Sequence, residues 1–147
     1  ARFIELAGKV NKAMPDYVIS RCKEALKAYG KTINGSRILI LGLAYKPNVD
    51  DDRESPGYVI MQNLESQHAI VEYHDPHIPI VRSSREHSCF AGKMSVEFSG
   101  KTIQDYDLVI IATAHDSIDY SILEESKCPV VDTRGVIDRP WSGYMRA

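Results

Sequence analysis

The short apolar run from Arg37 to Leu41 ends at Gly42, passes into a charged turn and reaches a marked helix start at Ser55-Pro56. A short run without alternation is expected of a parallel strand covered on both faces. Ser55 is suited to accept one of the unpaired N–H groups of a helix N-terminus, and Pro56 has no N–H to leave unpaired. A buried strand that leads through a turn into a helix is how an α/β protein builds an anion site. The turn here carries Lys46 and Arg53.

From Arg37 onward the pattern alternates between strands and helices, which favours a parallel sheet flanked by helices. The strands are expected at Arg37–Leu41, Ala69–Tyr73, Met94–Phe98, Leu108–Thr113 and Pro129–Asp132. Helices are expected at Pro56–Gln67, Ser99–Tyr106 and Asp116–Glu125. The segment Ile78–Lys93 has mixed polarity and no period, so it reads as a long connection with room for one short helix. Upstream, Ala1–Met14 and Asp16–Tyr29 have helical spacing around Pro15, which can open a second helix or kink a continuous one. Val18, Ile19, Cys22, Ala25, Leu26 and Tyr29 share one face, expected to pack on the sheet, and Gly30 is a natural stop. Right-handed crossovers place Gly42, Asp75, Thr113 and Asp132 at the carboxyl edge of one sheet, where open α/β sheets bind ligands.

The 147 residues fit one ordinary core, with no need of disulfides or metal. The formal net charge of −2 gives no polyanion-binding surface, so nucleic acid is not expected as a partner. Cys22, Cys89 and Cys128 are odd in number and widely spaced, which fits a reducing, cytoplasmic setting rather than a disulfide framework. No run approaches the roughly 18 apolar residues of a membrane span. The chain starts at Ala1 in a helical pattern, so we expect an excised piece whose first helix belonged to something longer.

Lys46 and Arg53, in a turn beside a helix N-terminus, concentrate positive potential where a phosphate can sit. Equally, Lys46 can be solvated and Arg53 paired within Asp50–Glu54. Gly42 followed by Ala44 is not the G-x-G-x-x-G fingerprint of dinucleotide folds. Asp50-Asp51-Asp52 lacks the alternation, the Gly and the distal Glu of an EF-hand loop. His74, His77, His87 and His115 show no H-E-x-x-H spacing, so no metal site is expected. Asp75, at a strand end, suits either a ribose contact or an Asp-Pro turn. Arg134, in Asp132-Thr-Arg-Gly135, puts a second guanidinium at the same edge. Converging with Lys46 it would make a diphosphate site, and otherwise it pairs with Asp132 or Asp138. None of the three cysteines has a base or cation nearby in sequence to activate it.

Taken together, Gly42-Leu-Ala-Tyr-Lys-Pro-Asn-Val-Asp-Asp-Asp-Arg-Glu-Ser-Pro56 and Asp132-Thr-Arg134 resemble the signature loop and closing D-x-R of the UDP-glucose and GDP-mannose dehydrogenase family, in its C-terminal domain. Phe3–Pro15 is similar to the end of that family's long central helix. Tyr73–Pro79, Arg85-Glu-His87 and Ala112–Tyr120 are most similar to the branch oxidising UDP-N-acetylhexosamines, and within it to the UDP-N-acetylglucosamine 6-dehydrogenases.

The resemblance implies a Rossmann-like α/β fold, an open and mostly parallel sheet with helices on both faces, preceded by part of an inter-domain helix. Residues 1–30 would be the end of a linker and dimerisation region, and 31–147 the UDP-sugar-binding domain. It also implies a parent enzyme, a homodimer, that oxidises the sugar C6 alcohol to a carboxylate in two NAD-dependent steps, for capsule, O-antigen or other polysaccharide synthesis. By resemblance Tyr45, Lys46 and Arg134 contact the UDP-sugar, and Arg53 reaches an NAD held mainly by a preceding domain. The family's catalytic cysteine has no counterpart among Cys22, Cys89 and Cys128, so no catalytic residue is assigned. The alternative is a stand-alone, non-catalytic nucleotide-binding or dimerisation module.

Overall fold

The structure, a computed structural model, describes residues 2–85 and 87–147, with residues 2–13 as backbone alone. Strand β1 (Arg37–Leu41) has four wholly buried residues, Ile38 to Leu41. Each contributes about 1.5–3 kcal/mol of apolar burial, which makes this strand the centre of the core. It pairs in parallel with β2 (Ile70–His74) on one side and β3 (Leu108–Ile111) on the other. Then follow β4 (Val130–Asp132) and β5 (Tyr144–Arg146), giving a five-stranded parallel sheet in the order β2-β1-β3-β4-β5.

Side-chain alternation along the strands builds two apolar layers. Ile38, Ile40, Tyr73, Leu108, Ile110 and Val131 face helices α1 (Arg2–Lys27) and α2 (Pro56–Ser66). Leu39, Leu41, Val109, Ile111 and Val130 face Ile103, Ile118 and Leu123, the last from helix α3 (Ser121–Ser126). Helices therefore cover both faces, as expected of a Rossmann-like α/β sheet.

Helix α1 is continuous through Pro15, and Val18, Ile19, Cys22, Ala25 and Leu26 are buried on the sheet as expected. Tyr29 is not part of that face. The helix ends at Lys27, the Lys31 N–H turns back to the Leu26 carbonyl at 2.9 Å, and Tyr29 is left 46% exposed. Helix α2 starts where Ser55-Pro56 marks it, with Ser55 Oγ accepting from the Gly57 N–H at 3.2 Å.

Three further expectations are corrected. Met94–Phe98 is not a strand. It makes an isolated antiparallel bridge from Met94 to Ile80 and one bond from the Val96 N–H to the Tyr73 carbonyl at 2.8 Å, which shields part of the β2 edge. Ser99–Tyr106 contracts to a 3-10 turn at Thr102–Asp105, and the 78–93 connection holds another at Ser88–Phe90. Helix α3 begins only at Ser121, because the Asp116 N–H is taken by Asn48 Oδ1 and the Ser121 N–H by Asp119 Oδ1. Strand β5 was unexpected, since Tyr144-Met-Arg146 is short and half-exposed and has no apolar run.

The parallel strands bring Gly42, Asp75, Thr113 and Asp132 to one edge, and the chain reverses direction across the sheet between β1 and β3. There Gly42 lies at φ +90°, and an added Cβ would meet Thr113 Cβ at 2.5 Å and the Thr113 carbonyl oxygen at 2.8 Å. We predict that Gly42→Ala lowers unfolding free energy by about 3 kcal/mol, from combined backbone strain and overpacking. Urea denaturation checks this, and a loss below about 1 kcal/mol would mean that the β1–β3 crossing tolerates a side chain.

Candidate functional site

Two buried carboxylates shape the carboxyl edge. Asp75, fully buried, accepts the Leu43 and Ala44 N–H groups on Oδ2 at 2.7 and 3.0 Å and the His77 N–H on Oδ1 at 2.8 Å. His115, also buried, reaches the same Oδ2 through Nε2 at 2.9 Å, while its Nδ1 accepts the Asn48 N–H at 2.9 Å. A backbone amide can only donate, so the ring proton sits on Nε2 and is donated to Asp75. Asn48, at φ +64°, pairs through its side chain with Asp116. Thr113 Oγ donates to the Ala44 carbonyl at 2.6 Å, and the Tyr45 N–H closes on the Asp51 carbonyl at 2.7 Å. The loop after β1 is thus fastened at its root and its tip. Tyr45 and Lys46 remain exposed on it, and among the described residues Lys46 has no ion-pair partner.

The second carboxylate, Asp132, winds up the loop after β4. Oδ1 accepts the Arg134 and Gly135 N–H groups at 2.9 and 2.8 Å, and Oδ2 accepts the Val136 N–H at 2.9 Å and the Tyr144 hydroxyl at 2.8 Å. Burial, helped by Asp132, pushes the Tyr144 hydroxyl up to about 12. The Arg134 guanidinium forms no ion pair with Asp132 or Asp138. Its Nε donates to the Ala112 carbonyl at 2.9 Å. Lys46 and Arg134 therefore leave the same sheet edge from β1 and β4, with β3 between them. Two inter-strand spacings put their loop roots roughly 10 Å apart, within reach of one diphosphate for two long side chains. Neither Asn48 nor Tyr144 was singled out from the sequence, which carries no signal for such side-chain anchors.

The acidic run is internally partnered. Asp50 meets Arg82 at 3.4 Å, Asp51 pairs in two-pronged fashion with Arg53 at 3.0 and 2.9 Å, and Asp52 accepts the Tyr58 hydroxyl at 2.5 Å. The hydrogen bonds from Arg53 bring the Asp51 carboxyl down to about 2, and burial with the Asp52 contact drives the Tyr58 hydroxyl well above its usual range. His87 stacks on Tyr58 at 3.7 Å between ring centroids. Arg53, Tyr45, Arg85 and His87 line an open cleft of about 540 Å³ beside this run. Glu86, part of the Arg85-Glu-His87 motif, lies outside the described residues. Among the described residues no three His, Cys, Asp or Glu side chains are grouped to hold a metal ion, and no helix is long and apolar enough to cross a membrane.

Asp75 is not a ribose ligand, because its oxygens are turned inward to backbone amides and His115; it is the turn-forming residue. Cys22 and Cys128 are buried, and desolvation pushes both thiols up to about 12, the opposite of an activated nucleophile. We expect Asp75→Ala to cost about 3 kcal/mol in chemical denaturation, since it strands buried N–H groups and the His115 ring. A carboxyl-detected NMR titration should find Asp51 near 2, and Arg53→Ala should return it toward its ordinary 3.8. An Asp51 midpoint unmoved by that substitution would exclude the pairing as its cause.

Residues 39–139 match the UDP-glucose/GDP-mannose dehydrogenase family, UDP binding domain. The chain is 31% identical over 153 residues to the NDP-N-acetyl-D-galactosaminuronic acid dehydrogenase of Ralstonia solanacearum, a match that covers 100% of this chain and 32% of that protein. It is 34% identical over 118 residues to a UDP-N-acetyl-D-mannosamine dehydrogenase of Methanococcus maripaludis, covering 80% of this chain and 24% of that one. The structure of the UDP-D-ManNAc dehydrogenase from Pyrococcus horikoshii superposes with a TM-score of 0.74 at 26% identity, over 97% of this chain and 32% of that one. The chain spans about a third or less of the length of the relatives it matches. With the family's UDP-binding domain matched over residues 39–139, more than half of the chain, on an α/β sheet of the same shape, the chain belongs to the UDP-glucose/GDP-mannose dehydrogenase family.

Proposed function

We propose that this chain holds the nucleotide of a UDP-sugar for an NAD-dependent 6-dehydrogenase acting on a UDP-N-acetylhexosamine. The observation that carries this is the pair of cations, Lys46 and Arg134, without acid partners among the described residues and placed on neighbouring loops of a UDP-binding domain. They neutralise the diphosphate, and Tyr45, 47% exposed beside Lys46, offers its ring to the same ligand. The relatives named for N-acetylated UDP- or NDP-hexosamine derivatives support that sugar class. Binding energy gathered on the nucleotide positions a distant C6 without touching it.

Arg53 fits a contact to NAD: two of its nitrogens are held by Asp51, and its exposed guanidinium lines the open cleft. NAD, when bound, supplies the hydride acceptor, and Arg53 contributes a fixed positive charge facing it. The thiol chemistry belongs to no cysteine of this chain. In this proposal residues 1–30 belong to a linker and dimerisation region of a cytoplasmic homodimer, residues 31–147 form the UDP-sugar domain, and the uronate product feeds polysaccharide synthesis such as capsule or O-antigen. A stand-alone nucleotide-binding or dimerisation module is the second reading, consistent with the buried, unreactive Cys22 and Cys128.

Calorimetry with UDP tests the site. Lys46→Ala and Arg134→Ala should each weaken binding about tenfold, the loss of one charge-assisted phosphate contact. Unchanged affinity in the double variant would remove both residues from the ligand and leave only the dimerisation-module reading. The chain mixed with a UDP-N-acetylhexosamine and NAD should form no NADH, and NADH production would place the chemistry inside it.

A further inference from the structure

Arg146 ends β5 in register with Asp132, so it stands at the same carboxyl edge as the Arg134 loop. Its backbone is pinned there: its carbonyl accepts Arg21 Nη2 at 2.8 Å, and the Ala147 N–H next to it donates to the Asp132 carbonyl at 2.9 Å. Its guanidinium lies on Gly135, the residue after Arg134. A Cβ added at Gly135 would fall 2.6, 2.7 and 2.8 Å from its Cζ, Nη2 and Nη1, and Gly135 sits at φ +70°. Position 135 therefore favours glycine for its backbone, and a side chain there would displace the Arg146 guanidinium from its resting place.

Asp132, the buried acid at this edge, brings one negative charge for the two guanidiniums and bonds to neither of them. Each of its oxygens is already taken by backbone N–H groups or the Tyr144 hydroxyl, which fills the roughly four acceptor positions of a carboxylate. Among the described residues neither Arg134 nor Arg146 has an acidic partner within ion-pair distance. The two guanidiniums rooted on adjacent strands exceed the single charge of Asp132, and a multiply charged anion between them would take up the surplus.

We propose that Arg146 is a further ligand-contacting residue, which binds the phosphates of the nucleoside diphosphate together with Arg134, with Gly135 as the positioning residue beneath it. This rests on the reading of Lys46 and Arg134 as the UDP site. Titration calorimetry of this chain with UDP and uridine, at several salt concentrations, tests it. Arg146→Gln should weaken UDP about tenfold, leave uridine nearly unchanged and flatten the salt dependence of UDP affinity, because one phosphate contact is lost. Gly135→Ala, with its far-ultraviolet dichroism checked, should shift UDP affinity in the same direction. Unchanged UDP affinity in Arg146→Gln, with Lys46→Ala still weakening it, would overturn the assignment of Arg146 alone. Equal losses for UDP and uridine would reduce Arg146 to a structural role. No UDP binding by the unsubstituted chain would overturn the parent reading and this one together.

Discussion

The desolvated Asp75 carboxylate sets the geometry of this edge. It gathers two amides from the loop after β1, one from its own turn and the His115 ring from the loop after β3, so three chain segments far apart in sequence meet on one side chain. A buried carboxylate is tolerable only when its lone pairs are filled, and here they are. His115 passes the restraint outward to Asn48, and Asn48 passes it to Asp116. An exposed loop is in this way given the rigidity of the core beneath it.

Charge is divided along that loop with a clear asymmetry. The acidic run from Asp50 to Asp52 is spent on local partners, namely Arg82, Arg53 and the Tyr58 hydroxyl, and these bonds shape the approach to α2. Lys46, a few residues earlier, is bound to none of these acids within ion-pair distance. Lys46 is therefore left without a direct ion pair although acids surround it in sequence, because those carboxylates are bonded to other partners.

Much of this was legible in the residues. Arg37–Leu41 is the strand that was expected, Ser55-Pro56 is the cap and first turn of α2, and the parallel arrangement follows from the alternation of elements. What was not legible depends on partners distant in sequence. Met94–Phe98 has the composition of a strand yet finds a single ladder bond, and Tyr144–Arg146 lacks that composition yet completes the sheet because β4 offers an open edge. At the candidate site, Lys46 and Arg134 are proposed from their turns. The inward aim of Asp75, the Asn48–His115 relay and the Tyr144–Asp132 bond could not be read in that way, since each requires knowing which strand lies beside which.

Asp132 and Asp75 hold their loops almost entirely through main-chain N–H groups, which every residue but proline provides. Exposed side chains on these loops, Tyr45 and Lys46 among them, are thereby released from the work of keeping the loops folded, while Leu43 and Ala44 stay buried in the core. Solvent-facing residues on such loops can be exchanged while the supporting turns keep their shape, so what the loops contact can change at little cost to folding. Proline is the substitution this arrangement forbids, and Pro47 sits at a position whose nitrogen none of these anchors requires.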